Sequence, residues 1–381
     1  LPGVVGVALE RDRGLVDAPF ADAGFRSIFE RLPPDAGLLV AAGTNQLNLR
    51  YIDRDILVDN AAAFLFLRRF LVPFDRIDLI DDDGRVFRND GEDFAFLSFV
   101  AAGNHEYKIV FTDSPGFMDF YGQILGAARA SDFALITVDA TAGVQVGTRR
   151  AWNACKEGGL ASVAFVITGL DKDNADFNKT VTAIRDTFGM NCVPVTAPLG
   201  ADAVANILDT SDLPAALQDV RNSLAESAAE TDEALMEKYF EQGSLDPADI
   251  RKGLTTGIKS GNVHPIYSTC PLKGVGIKEL LDSLCRLLPP PGARVYRDSK
   301  DTELAPDPAA PLVAQVWRTT VDPFLGQLSF VRVISGTLAT GMSVQNTSTD
   351  TKETISAMLY VVGKKQTHVD KAGPDDIVEI P

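Results

Sequence analysis

Histidine is nearly absent from this 381-residue chain, with three residues in all, beside four cysteines and two tryptophans. None of Cys155, Cys192, Cys270 and Cys285 stands in a Cys-x-x-Cys pair, so no metal site of Cys and His ligands is expected. The thiols read instead as buried and free, as in a reducing compartment. Also missing is an apolar run of the ~18 residues that a spanning helix needs. Asp59, Arg68 and Arg69 interrupt one candidate run, and Asp132 and Asp139 interrupt another. Positive charge is short as well: 36 Lys and Arg face 52 Asp and Glu, for a net charge of -16. Such a chain is a poor general binder of phosphate backbones. DNA is not an expected partner, and contact with RNA requires a local basic patch.

What is present describes a globular protein. The 45% hydrophobic and 23% charged content supports a sizeable core, and the length suggests two or three domains. Residues 1–48 have weak periodicity and turn signals at Pro33-Pro34 and Asp35-Ala36-Gly37. They read as an irregular extension with one short helix near 25–31. Between 49 and 290 strands and helices alternate. Strands are predicted at 106–112, 133–139 and 162–168, the latter two being apolar runs suited to burial on both faces of a parallel sheet. Helices are predicted at 147–157 and 174–188. Strand alternating with helix implies an α/β sheet with ligands at the carboxyl ends of its strands. Residues from about 203 to 258 are helical in pattern, with an acidic amphipathic stretch at 222–242. Asp246 and Pro247 form a clean helix start. A linker over 291–310 follows the Pro289-Pro290-Pro291 break. Strand signals at 312–318, 328–334, 354–359 and 376–380 then suggest a small β-barrel over 311–381.

Two stretches carry the question of function. Residues 56–71, ILVDNAAAFLFLRRFL, have the layout of a strand, a loop and a helix, with alanines where a phosphate loop has glycine and lysine. Asp113-Ser114-Pro115-Gly116 follows a strand, as does the magnesium-and-water loop of a GTPase; alone it is also a common turn. The context is FTDSPGFMDFYGQILGAARASDFALITVDATAGVQVGTRRAW, and it resembles the translational GTPases, most closely bacterial-type elongation factor G. The resemblance continues through the helical stretch SAAETDEALMEKYFEQGSLDPADIRKGL and resumes in DPFLGQLSFVRVISGTLATGMSVQN. It covers roughly 49–381 and implies a P-loop GTPase-like domain over 49–290 with a reduced helical insertion. A β-barrel of the domain-two type follows. It implies further domains as well; this sequence ends at Pro381.

Carried over residue by residue, the family's nucleotide motifs are damaged. The phosphate loop matches Val58 to Phe64, where Asn60, Ala61, Ala62 and Ala63 replace the family's residues, with alanine in place of glycine, lysine and the magnesium threonine. The charge on the β and γ phosphates and a metal ligand are gone. Asp113 and Gly116 survive as remnants, but the family's water-orienting histidine is Phe117, which cannot hydrogen-bond a water. Asn-Lys-x-Asp, which reads guanine, is Thr168-Gly169-Leu170-Asp171; Asp171 remains as a base reader or as a helix cap. The last loop, Gly-Ser-Ala, is Thr269-Cys270-Pro271, and proline removes a backbone amide.

The resemblance therefore implies a pseudo-GTPase with no catalytic residue, no bound metal and no expected cofactor. It would act as a structural or assembly factor on the ribosome or a ribosomal subunit, through rRNA and ribosomal proteins. The acidic helices are a solvated face or a surface for the ribosomal stalk protein. A divergent active translational GTPase using GTP and magnesium in translocation or recycling is the alternative, and a binding role detached from ribosomes is a third reading. The bacterial-type match implies a bacterium or an organelle, and the degenerate motifs together with the added N-terminal segment favour a mitochondrion over a bacterial cytoplasm.

Overall fold

The computed structural model describes residues 4–11, 78–80, 86–88, 94–101, 105–114, 120–200, 202–210, 213–288, 294–322, 326–362 and 365–381. A seven-stranded sheet organises the first domain. Its strands are β1 (Val4–Arg11), β2 (Phe94–Ala101), β3 (His105–Asp113), β4 (Phe133–Asp139), β5 (Val163–Thr168), β6 (Cys192–Pro194) and β7 (His264–Ser268). The spatial order is β2-β3-β1-β4-β5-β7-β6. The strands β4, β5, β7 and β6 are mutually parallel. β1 runs antiparallel to both β3 and β4, so β3 shares the direction of the parallel set.

Strand alternation divides the core between the two faces of the sheet. Phe133 and Leu135 of β4 face one cluster, which holds Leu224, Leu254, Ile258, Leu280 and Leu284. Ala134, Ile136 and Val138 face the other, with Ile124, Trp152, Val181 and Ile184. The helices sort accordingly. α1 (Tyr121–Ala130), α2 (Val146–Glu157) and α3 (Phe177–Phe188) cover the second face. α4 (Ala215–Ala229), α5 (Glu233–Gln242), α6 (Pro247–Ser260) and α7 (Ile277–Leu287) pack on the first.

Start signals in the sequence act as local chemistry predicts. Asp246 accepts from the amides of Ala248 and Asp249, with Pro247 in the first turn of α6. Asp232 caps α5 through the amides of Ala234 and Leu235 and so splits the acidic stretch 222–242 between two helices. The helical region begins later than its pattern predicts. Val204–Asn206 is a strand, paired antiparallel with Thr196–Pro198, and the first helix starts at Ala215. The N-terminal reading also needs correction, because Val4–Arg11 is a strand inside the sheet. Its run of Val4, Val5, Val7 and Leu9 has the β-branched, apolar character that a central strand needs. The helix expected near 25–31 lies outside the described residues.

The C-terminal part is antiparallel throughout. Its five-stranded sheet comprises β8 (Val313–Asp322), β9 (Gly326–Ser335), β10 (Leu359–Val362), β11 (Lys365–His368) and β12 (Ile377–Ile380), in the order β8-β9-β12-β10-β11. Val331, Val333, Leu338, Met358 and Val378 form its core. The strand expected over 354–359 is two: Thr351–Thr354 pairs with Ser343–Asn346, and Leu359–Val362 joins the larger sheet. This is the α/β domain followed by a β-rich domain that the sequence implies.

Candidate functional site

Because β3, β4, β5 and β7 share one direction, their carboxyl ends meet on one edge of the sheet. Asp113 ends β3, Asp139 ends β4, Thr168 ends β5 and Ser268 ends β7. In open α/β sheets ligands bind at this edge, where the strand order reverses. β1 alters it. Val5 stands opposite Asp113 at the carboxyl end of β3 and opposite Leu135 within β4, so the amino end of β1 is directed toward this edge. The chain enters the sheet at this point instead of leaving it into a loop and helix.

The corner after β5 and β7 is tightly wired. Thr168 is buried and its carbonyl accepts from Ala140 N at 2.8 Å. Gly169 follows with φ +69, a left-handed conformation that a lysine would adopt only with strain. A Cβ at Gly169 would stand 3.1 Å from Lys172 Cδ and Cε, so the Lys172 stem covers the space over the glycine. Lys172 Nζ donates to Asp139 Oδ2 at 2.5 Å, and Asp139 Oδ1 accepts from Thr141 N at 2.8 Å and Thr141 Oγ1 at 2.6 Å. Burial alone would raise the Asp139 pKa; Lys172 and Thr141 outweigh it and lower it to about 2.

The loop after β7 has little left to offer a ligand. Thr269 N donates to Ile167 O at 2.9 Å, Cys270 N donates to Val275 O at 2.9 Å, and Pro271 has no N–H. Pro271–Lys273 form a short 3-10 turn closed by Gly274. Burial first, and then the nearby Asp171 carboxylate, raise the pKa of the Cys270 thiol, while Lys273 pulls it the other way. The amides of Thr269 and Cys270 are thus spent on strand β5 and on their own loop.

The residues singled out in the sequence divide into two groups. Asp113, Asp171, Thr269, Cys270 and Pro271 lie on this edge; Asn60, Ala61, Ala62, Ala63, Gly116 and Phe117 lie outside the described residues. Asp171 does not cap α3: Asp176 does, accepting from Lys179 N at 2.9 Å. Sequence reading missed the Asp139–Lys172 pair. The signal was present, since Asp139 ends a buried strand and Lys172 follows Asp171 directly, but only folding brings positions 33 residues apart together. Among the described residues no group of three or more His, Cys, Asp or Glu is placed to hold a metal ion. At this edge Lys172 Nζ is held by Asp139, the amides of Thr269 and Cys270 are bonded within the chain, and β1 stands between β3 and β4.

A parallel α/β domain with its motif-bearing loops on the carboxyl edge, joined to an antiparallel β domain, is a translational GTPase architecture. Residues 93–290, just over half of the chain, match the elongation factor Tu GTP binding domain, and residues 311–381 match elongation factor G domain 2. The chain belongs to the translational GTPase family, of elongation factor G type. It is similar to the elongation factor G-like protein of Thermotoga maritima, with 30% identity over 306 residues covering 74% of this chain and 45% of that protein. It is also similar to a protein of Thermus thermophilus known from its crystal structure, with a TM-score of 0.62 and 27% identity over 76% of this chain and 44% of that one. The chain therefore spans under half the length of these relatives. The first family match begins at residue 93, beyond the stretch 58–64.

Proposed function

We propose that this chain is a pseudo-GTPase of elongation factor G type, a catalytically inactive module that serves as a structural or assembly factor on a ribosome or ribosomal subunit. One observation carries the reading. At the three positions that match the family's last guanine loop, the amides of Thr269 and Cys270 are spent on Ile167 and Val275, and Pro271 has none. Beside them, Lys172 is held by Asp139. The reversed β1 between β3 and β4, and Ala62 in place of lysine, support it. No nucleotide, magnesium ion or other cofactor is expected to bind. The partners that fit are rRNA and ribosomal proteins, and a mitochondrion is the favoured compartment.

The reading of a divergent active GTPase has one observation in its favour: Asp113 and Asp171 both keep their places at the carboxyl ends of β3 and β5. Calorimetry separates the two. Losing the lysine, the magnesium ligand and the histidine should remove several kcal/mol of interaction, each group contributing about 2–4. The full chain should show no heat of binding with GTP or GDP up to millimolar concentration in magnesium buffer. Micromolar affinity would overturn the inactive reading. Cosedimentation with purified ribosomal subunits tests the docking role, and protein that stays in the supernatant at all salt concentrations would remove the ribosome from it.

A further inference from the structure

Helix α1 ends against residues from beyond the α/β domain. Its last turn and the following residue leave carbonyls without intrahelical partners, and two arginines take them. Arg294 Nη1 donates to the carbonyls of Ala128, Arg129 and Ser131 at 3.0, 2.9 and 2.9 Å. Its Nη2 donates to Gly158 O, past the end of α2, at 2.5 Å. Ala130, the remaining carbonyl in the series, accepts from Arg332 Nη1 of β9 at 2.8 Å. Arg332 Nη2 also donates to Asp132 Oδ1 at 2.7 Å and Asp375 Oδ1 at 2.5 Å. The Tyr296 ring lies beside both guanidinium groups, 5.2 Å from Arg294 and 5.9 Å from Arg332. Higher up the helix, a Cβ on Gly126 would stand 2.9 Å from Trp317 O in β8, so the helix and strand backbones are in near contact there.

We infer that Arg294, Arg332 and the Gly126–Trp317 contact form a clamp by which the linker and the β-rich domain fix the position of α1. The carbonyl end of a helix carries partial negative charge, and two cations on four consecutive carbonyls hold it in place and orientation. α1 is the helix that follows Asp113 in the chain, so a load on the β domain reaches the edge of the large sheet through it. A packed contact of this kind transmits displacement because it has few intermediate arrangements. The coupling is reciprocal and does not depend on whether that edge takes nucleotide.

Hydrogen exchange on the full chain tests the clamp. Arg294→Lys should raise exchange in the peptide covering 121–130 on the order of tenfold, as for one or two lost bonds to a charged group. Peptides from α6 should be unchanged. Gly126→Ala should act in the other direction, shifting the emission of Trp317 in a Trp152→Phe background and raising exchange in β8 and β9. Unchanged exchange in 121–130 of the folded Arg294→Lys protein would overturn the clamp. So would equal loss of protection in α6 and 121–130, because the arginine would then support the whole domain. A Gly126→Ala protein with native Trp317 emission and native exchange in the β domain would overturn it as well.

Discussion

Arg332 Nη2 and Asp132 Oδ1 are 2.7 Å apart, with the arginine side chain 0% and the aspartate 5% exposed, in a pair that joins the β domain to the end of α1. Burial works against the guanidinium charge, but Asp132, Tyr296 and Asp375 more than offset it and raise its pKa. Removing one member of such a pair leaves a buried charge without compensation. Arg332→Met should lower the unfolding free energy by about 3–5 kcal/mol, read as a shift in urea midpoint at pH 7. A loss below about 1 kcal/mol, the range of an exposed pair, would show that water reaches this interface.

His264 should make the protein acid-sensitive. It is buried, with Nδ1 3.0 Å from Val163 O and the Trp152 ring edge-on at 4.7 Å. Burial holds its pKa below the ordinary 6.5, and Lys156 adds to this, while the Val163 carbonyl pulls upward. The unfolded chain therefore takes a proton that the folded chain refuses. Stability should fall as pH drops below about 6.5, by up to roughly 1.4 kcal/mol for each pH unit until the folded pKa is reached. Urea midpoints at pH 7.5 and 5.5 should separate in the native protein and draw together in His264→Gln.

The Asp139–Lys172 pair has the opposite sign. Asp139 is depressed to about 2 from 3.8, so its contribution is present above pH 3.8 and is lost as pH falls toward 2. Both side chains are partly exposed, Lys172 at 44% and Asp139 at 31%, so Lys172→Met should cost less than about 1 kcal/mol. The clearer effect is on titration: the Asp139 carboxyl resonance should move its midpoint upward toward 3.8 in that variant. An unmoved midpoint would assign the depression to Thr141 alone.

The four cysteines are free and buried, and burial pushes Cys155, Cys192 and Cys285 up to about 12. A thiol reagent at pH 8 should react with the native protein roughly a thousandfold more slowly than with the urea-unfolded protein, where all four become available. Fast labelling of Cys270 in the native state would show that the loop after β7 opens.

Much of this arrangement follows from the sequence alone. Two-faced burial of 133–139 and 163–168 is written in uninterrupted apolar runs, because a strand covered on both sides has no solvent face to mark. Asp246-Pro247 marks its helix because a cap and a fixed φ act within one turn. The motif positions Thr168 to Asp171 and Thr269 to Pro271 were legible through the resemblance to the translational GTPases.

What tertiary structure decided is pairing at a distance. No local pattern says that Val4–Arg11 enters the sheet between β3 and β4, or in which direction, since strand partners are chosen by free edges and not by neighbours in the chain. Nor does it say that Lys172 covers Gly169 and binds Asp139, or that Arg294 and Arg332 close the end of α1. Types of element follow from periodicity and caps within a few residues. The engagement of each charge and amide at the edge depends on contacts that exist only after the sheet has formed.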